Sequence, residues 1–210
     1  MINIQNISKK YDSVQALKDI SFEVNKGEIF GLLGPDGAGK TTLFRILTTL
    51  ILADSGTATL NGWDIVQDYD KIRKNIGYMP GRFSLYLNMT IEENLDFFAT
   101  LFHTTIEENY DLIKDIRPKI VFLDEPTGGV DPAARRQFWE LIYKSAADGI
   151  TVFVTTHYMD EAEYCNRVSI MVDGRLDALD TPTNLKQHFE AVSMDEVFTK
   201  LARKALRSDN

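Results

Sequence analysis

The sequence predicts an α/β fold in which a mainly parallel sheet is flanked by helices. Three short, largely apolar runs, 29–33, 120–123 and 151–156, have the continuous pattern typical of strands buried on both faces. Helical patterns lie between these runs, and strands that alternate with helices favour a parallel sheet. At 210 residues, 44% of them hydrophobic, the chain is long enough for one domain with a sizeable core.

Amphipathic patterns predict the other elements in the first part of the chain. Apolar and polar side chains alternate over residues 2–4 and 20–24, which predicts two half-buried strands. After the first buried run, apolar residues over 43–51 recur at helical spacing and predict one stripe of a helix. The dipeptide Asn61-Gly62 between two short strand patterns predicts a hairpin.

Helix start and stop signals organise the second part. Thr90 and Thr105 each precede a glutamate three residues later, which is the spacing of a capping box and predicts two helix starts. The second helix must end before Pro118, since proline disfavours helical geometry in the residue before it. The remaining predicted elements are a helix, the two strands of a hairpin and a terminal amphipathic helix: 132–147, 167–172, 175–179 and 194–206.

A phosphate-binding motif lies between the first buried run and the first helix. Gly34-x4-Gly39-Lys40-Thr41 has the spacing of a P-loop. Its glycines let backbone N–H groups surround phosphate oxygens, Lys40 reaches the terminal phosphates, and the Thr41 hydroxyl is a Mg²⁺ ligand. The alternative is a glycine turn before a helix. The flanking strand and helix favour phosphate binding, because the positive end of the helix dipole then faces the anion.

Polar residues also follow the other two buried runs. Asp124 is placed to hold Mg²⁺ through water and Glu125 to orient or deprotonate an attacking water, with two solvated carboxylates at a strand end as the alternative. For His157, a contact with a γ-phosphate and a purely structural role both fit. For Tyr11, stacking on a base and a plain surface position both fit.

Four motifs occur in order along the chain. They are the P-loop, Leu-Asp-Glu-Pro-Thr at 123–127, Gly-Val-Asp-Pro at 129–132, and Thr156-His157 followed by Met-Asp-Glu-Ala at 159–162. Together they resemble the nucleotide-binding subunit of an ABC transporter, most of all subunits of multidrug-type exporters. The resemblance implies a P-loop NTPase fold with an N-terminal antiparallel β subdomain. It also implies a catalytic core over about 1–80 and 117–185, a truncated helical subdomain over about 81–116 and a C-terminal helical tail over about 186–210.

The same resemblance implies ligands, partners and residue roles. ATP and Mg²⁺ are the implied ligands, with Glu125 and His157 as catalytic residues and with Thr41 and Asp124 at the metal. The implied nucleotide-binding residues are Tyr11, Gly34, Gly37, Ala38, Gly39, Lys40, Thr41, Thr42 and Asp131, the last in the loop that meets a partner subunit. Two subunits, as a homodimer or heterodimer, sandwich two ATP molecules beneath a membrane permease. This implies a cytoplasmic location, peripheral on the inner face of the cell membrane.

The chain departs from the family pattern in three places. Asp36 stands where the family usually has Asn, and its negative charge beside a polyanion is expected to weaken binding modestly. Gly81 stands where the family has a Gln that contacts Mg²⁺ and water. No Leu-Ser-Gly-Gly-Gln-like signature occurs, and the 43 residues from Gly81 to Asp124 leave roughly 30 family residues missing near Ile116-Arg117. In the family, the signature of one subunit caps the γ-phosphate that the other subunit binds. By analogy, a stabiliser supplied in trans raises the rate of phosphoryl transfer by about 10³–10⁵, so the missing signature is expected to impair hydrolysis.

Composition narrows the function classes. A net charge of −8 with no dense basic block disfavours nucleic-acid binding, and the single cysteine, Cys165, excludes an intrachain disulfide. No apolar run approaches the roughly 18 residues that span a bilayer.

The leading hypothesis is an ATP-binding subunit of an export transporter. A hydrolysis-deficient nucleotide-binding partner, or a hybrid remnant of a tandem subunit, is the alternative. The same charge and the lack of zinc-spaced cysteines disfavour an ATPase of DNA repair or translation.

Overall fold

The computed structural model describes residues 2–81, 86, 88–101, 103–107 and 118–208, with side chains up to residue 201. The body of the helix predicted after Thr105 and the junction at Ile116-Arg117 lie outside the described residues. The strands are β1 (Ile2–Tyr11), β2 (Val14–Val24), β3 (Ile29–Leu33), β4 (Ser55–Leu60), β5 (Trp63–Asp64), β6 (Ile76–Met79), β7 (Ile120–Asp124), β8 (Thr151–Thr156), β9 (Arg167–Val172) and β10 (Arg175–Asp180). The helices are α1 (Lys40–Leu47), α2 (Tyr69–Arg73), α3 (Ile91–Leu101), α4 (Pro132–Ala147), α5 (Pro182–His188), α6 (Met194–Ser208) and a 3₁₀ helix (Met159–Tyr164).

Four strands form an antiparallel N-terminal sheet in the order β2-β1-β4-β5. The alternation that predicted its first two strands is confirmed, since Ile2, Ile4 and Ile20 point into the core and are at most 2% exposed. The hairpin at Asn61-Gly62 is confirmed as well. Both residues have positive φ, 54° and 85°, as the tight turn between twisted strands requires.

The three buried runs lie together in a six-stranded sheet of order β10-β9-β3-β8-β7-β6. Five neighbouring strands are parallel, and only the edge strand β10 pairs antiparallel, through its hairpin with β9. The carboxyl ends of β3, β7 and β8 are therefore neighbours at one edge of the sheet. This places the P-loop, Glu125 and His157 at the same edge.

The core has two layers, one on each face of this sheet. Alternate residues of β8 reach opposite layers: Phe153 packs with Phe44 of α1 and with the N-terminal sheet, whereas Val152 and Val154 pack against α4 and α6. Phe44 and Phe153 meet edge to face with ring centroids 4.8 Å apart. A strand buried on both faces needs this continuous apolar sequence, which is why the pattern predicted it.

Helix α1 is shorter than its apolar stripe predicts. The stripe continues to residue 51, but the helix ends at Leu47 because Thr49 adopts φ 63°, and Leu50 is consequently 56% exposed. The bounds predicted for α4 are confirmed, with Asp131 as its N-cap and Pro132 as its first residue. The capping box at Thr90 is also confirmed: the Thr90 amide donates to Glu93 and the Glu93 amide donates to the Thr90 hydroxyl.

Four short elements were not predicted from the sequence: α2, β6, the 3₁₀ helix and α5. Each has seven residues or fewer, so none of them spans enough residues to show a period. Within the described ranges, no helix combines the length and the apolar character that crossing a bilayer requires.

Candidate functional site

The P-loop connects β3 to α1 and needs glycine at particular points. Gly37 and Gly39 have φ of 81° and 104°, a region that other residues rarely adopt. A Cβ on Gly39 would lie 2.4 Å from the carbonyl oxygen of Ala16 on β2, so a side chain does not fit there. The chain can therefore turn tightly and begin α1 directly at Lys40, with the first helical N–H groups at the loop.

Lys40 is only 4% exposed, and its charge is compensated within the site. Its Nζ donates to the carbonyl oxygens of Gly34 and Pro35 at 2.8 and 3.1 Å, and it lies 3.3 Å from Oε1 of Glu125. A buried ammonium needs such partners, because leaving water without them is costly. The arrangement holds the lysine along the loop that the motif predicts for phosphate.

Glu125 lies between Lys40 and His157. Its backbone has φ 49°, and its amide donates to the carbonyl and hydroxyl oxygens of Thr155, at 3.1 and 3.0 Å. This turn at the end of β7 places its Oε2 3.2 Å from Nδ1 of His157. The two residues predicted as catalytic are thus in contact, and one of them also contacts the P-loop lysine.

Asp124 is buried at the end of β7, 2% exposed, and its Oδ1 accepts a hydrogen bond from the Thr155 hydroxyl at 2.6 Å. Burial, and then the Asp124 charge, raise the pKa of the Tyr78 phenol on the neighbouring strand. A Cβ on Gly81 would lie 3.0 Å from the Asp124 carbonyl oxygen and 3.7 Å from its carboxyl carbon. Position 81 therefore faces Asp124 at close range, and Gly81 presents no side chain to it.

A cavity of about 460 Å³ opens at this edge of the sheet. The part of the P-loop from Asp36 to Thr42 lines it, with Glu125 opposite. One ligand atom from each of Asp36, Glu125 and His157 lies within 4.8 Å of the others. Asp36, singled out as a departure from the family pattern, thus adds its charge at the mouth of the site.

The cavity also has lining residues that the sequence reasoning missed. Lys18 on β2 adds a second cation, and Asp173 and Gly174 come from the β9–β10 turn. The Gly174 amide donates to the carbonyl oxygen of Ala38 at 3.1 Å, which fixes that turn against the P-loop. No local pattern marks these residues, because only the pairing of distant strands brings them to the loop.

Five of the predicted site residues lie outside the cavity lining: Tyr11, Gly34, Asp124, Asp131 and His157. Tyr11 is 43% exposed at the end of β1, with the Lys9 ammonium 5.7 Å from its ring centroid. Asp131 caps α4, where its Oδ1 accepts hydrogen bonds from the amides of Ala133 and Ala134, at 2.9 and 3.1 Å. The roles of Tyr11 on a base and of Asp131 toward a partner subunit stay predictions.

Comparison with known proteins gives the same family as the motifs. The family profile described as ABC transporter matches residues 17–117. The linearmycin resistance ATP-binding protein LnrL of Bacillus subtilis (strain 168) is 33% identical in an alignment that covers 88% of this chain and 70% of LnrL. The chain belongs to the ABC transporter family.

A longer relative in the family aligns over more positions than this chain supplies. The probable multidrug ABC transporter ATP-binding protein YbhF of Escherichia coli (strain K12) is 39% identical over 89% of this chain, and the chain spans 38% of the length of YbhF. That alignment runs over 219 residues although it includes 89% of a 210-residue chain. About 30 of its positions therefore have no counterpart here.

Solved structures show the family fold. A structure titled as the ATP binding subunit of an ABC transporter superposes with a TM-score of 0.78 over 96% of this chain and 99% of its own, at 24% identity. The cassette MJ0796, in a dimeric post-hydrolysis state bound to ADP and Pi, superposes with a TM-score of 0.72 over 86% of this chain and 98% of its own, at 22% identity. These likenesses confirm the P-loop NTPase fold class.

Proposed function

We propose that this chain binds Mg-ATP in the P-loop cavity and hydrolyses it as the ATP-binding component of an export transporter. The observation that carries the proposal is the contact series Lys40–Glu125–His157 at the mouth of the P-loop. Lys40 contacts one oxygen of Glu125 at 3.3 Å and His157 contacts the other at 3.2 Å. Lys40 offers a cation for the phosphates and Glu125 a carboxylate for the water, which are groups that phosphoryl transfer to water uses, and the His157 imidazole lies beside them.

Binding uses the loop and its lysine. Residues 37–42, which include the start of α1, line the cavity, and backbone N–H groups at a helix N-terminus favour an anion. Phosphate oxygens compete with Glu125 and the two loop carbonyls for Lys40, so Lys40 exchanges these partners for the nucleotide. The Thr41 hydroxyl and the Asp124 carboxylate would hold Mg²⁺, because oxygen ligands are the kind that Mg²⁺ prefers. A Mg²⁺ ion bound there would neutralise charge on the phosphates.

In the proposed hydrolysis, Glu125 accepts a proton from the attacking water. Once Lys40 is on the phosphates, the Glu125 carboxylate is free to orient a water and accept its proton while the water oxygen attacks the γ-phosphorus. The bond from the γ-phosphorus to the bridging oxygen breaks and leaves ADP and inorganic phosphate. His157, whose Nδ1 lies 3.2 Å from Oε2 of Glu125, would contact the γ-phosphate.

Partners and substrate class follow from the relatives' names. YbhF is named for multidrug transport and LnrL for linearmycin resistance, and both are ATP-binding proteins. We propose a membrane permease and a second nucleotide-binding subunit as partners, a place on the inner face of the cell membrane, and no nucleic-acid partner. Residues 1–80 and 117–185 would form the catalytic core, 81–116 a shortened helical subdomain and 186–210 the tail.

Two measurements on the purified chain test the proposal. Equilibrium binding of a fluorescent ATP analogue should be lost in Lys40→Ala, and steady-state phosphate release should fall in Glu125→Gln. Binding without any phosphate release would favour the hydrolysis-deficient partner instead. Binding that is unaffected by Lys40→Ala would overturn the proposed site.

A further inference from the structure

A second polar cluster lies behind the site and takes no part in the chemistry proposed above. Its centre is Glu161 of the 3₁₀ helix, which is 0% exposed and does not line the cavity. Burying a carboxylate is costly unless donors surround it. A buried ionic group is also weak support for stability, because apolar side chains of similar volume often serve as well. The cluster therefore calls for a role in placing other groups.

Glu161 joins three elements through one oxygen. Its Oε1 accepts from the Thr127 hydroxyl at 2.5 Å and from the Trp139 indole N–H at 3.4 Å, and it lies 3.8 Å from Nε of Arg135. Thr127 lies two residues after Glu125, and Arg135 and Trp139 belong to α4. A carboxylate suits this position because it only accepts hydrogen bonds, and both the Thr127 hydroxyl and the Trp139 indole N–H donate to it.

The same cluster reaches His157 through Arg135 and Tyr158, whose side chains lie in series. The Arg135 guanidinium lies 4.5 Å from the ring centroid of Tyr158, and the Tyr158 and His157 ring centroids are 4.1 Å apart. The far end of the guanidinium lies 3.9 Å from the exposed carboxylate of Asp160. Within the described part of the chain, Arg135 Nε and Glu161 Oε2 are buried without a hydrogen bond, so the charge of Glu161 acts on Arg135 mainly through its field.

We propose that Glu161 is a positioning residue that sets the place of both His157 and the turn after Glu125. Through Thr127 it anchors the turn that follows Glu125, and through Arg135 and Tyr158 it holds the imidazole of His157. The inference rests on the proposed function for its consequence in catalysis. Its structural content, that the charge of Glu161 determines the surroundings of His157, is measurable without turnover.

The direct test is the substitution Glu161→Gln, which keeps the volume and removes the charge. The chain has three histidines, His103, His157 and His188, so their imidazole signals in ¹⁵N-histidine NMR spectra can be assigned by single substitution. We expect the His157 signals to shift and those of the other two to stay. We also expect kcat to fall about ten-fold with KM for ATP unchanged, since a small misplacement of a reacting group costs rate.

The matched control is Glu163→Gln on the same 3₁₀ helix, where Glu163 forms a surface ion pair with Lys186 at 2.6 Å. It should leave the His157 signals and kcat unchanged. Arg135→Met removes the link to Tyr158 at a partly exposed side chain and should shift the His157 signals as Glu161→Gln does. If Glu161→Gln does not fold, this second variant decides the question.

The outcomes separate this inference from the proposed function. Unshifted His157 signals in folded Glu161→Gln or in Arg135→Met would overturn the positioning role. Shifted signals with an unchanged kcat would overturn its part in catalysis. If the chain releases no phosphate at all, the proposed hydrolysis fails, while the His157 signals still confirm or refute the positioning role.

Discussion

The substitution Glu125→Gln should change nucleotide binding and turnover in opposite directions. In the structure Glu125 neutralises Lys40 at 3.3 Å, and the two side chains are 28% and 4% exposed. A phosphate must displace this carboxylate, so removing its charge should strengthen binding. The same carboxylate is the proposed acceptor of the water's proton, so removing it should slow hydrolysis.

The distance sets the size of the effect. Two unit charges 3.3 Å apart attract by about 1.3 kcal/mol in water and about 5 kcal/mol at an effective dielectric constant of 20. Glu125 is partly exposed and glutamine remains a polar neighbour, so the lower part of this range applies, about 1–2 kcal/mol. This corresponds to a Kd lower by roughly 5- to 30-fold. Loss of a general base typically lowers kcat by about 10²–10⁴.

The assay measures both quantities on the same protein. Binding of a fluorescent ATP analogue is titrated in EDTA, which keeps metal coordination out of the comparison, and phosphate release is followed with Mg²⁺ present. Asp173→Asn is the matched control, because Asp173 lines the same cavity but does not pair with Lys40. If Glu125→Gln binds the analogue no more tightly than Asp173→Asn, the Lys40–Glu125 competition is refuted.

Three further predictions follow from single positions. Gly39→Ala should lower the thermal midpoint and abolish analogue binding, because its Cβ would lie 2.4 Å from the Ala16 oxygen at φ 104°; an unchanged melting curve would count against the geometry of the loop. Cys165 should react with a thiol reagent at pH 8 only as fast as the chain unfolds, since it is buried and burial raises the pKa of its thiol; fast labelling of folded protein would contradict this. The hydrogen bond from Lys9 lowers the pKa of Asp54 below 3.8, so this carboxylate stabilises the fold above that pH and the contribution is lost as the pH falls through its folded pKa. Urea unfolding should therefore separate Asp54→Asn from the parent protein more at pH 6 than at pH 2, and an equal difference at both would refute the linkage.

Where the sequence was sufficient, the relevant residues are neighbours in the chain. The spacing of the P-loop motif predicted the phosphate-binding loop and the helix that follows it, because the loop's conformation depends on residues only a few positions apart. The continuous apolar runs predicted β3, β7 and β8, since strands covered on both faces have no polar side to alternate with. The stripe to residue 51 predicted too long a helix, because the positive φ of Thr49 leaves no mark on periodicity.

Only the tertiary structure decided which side chains lie close to the P-loop. Sequence placed Glu125 and His157 at strand ends, but only the order β3-β8-β7 brings them within 3.2 Å of each other and Glu125 within 3.3 Å of Lys40. Lys18 reaches the cavity through the pairing of β2 with β1 and the packing of the two sheets. The sequence showed Glu161 only as a member of the motif at 159–162, and its burial against α4 came from the tertiary structure.

The amino-acid sequence by itself determined the family, the fold class and the phosphate-binding loop, because these depend on local spacing and on hydrophobic pattern. The contact of Lys40 with Glu125, the close approach of position 81 to Asp124 and the buried cluster around Glu161 were decided only by the tertiary structure. Each of these contacts joins residues that strand order and layer packing bring together across a long stretch of chain, and no short-range pattern encodes such a distance.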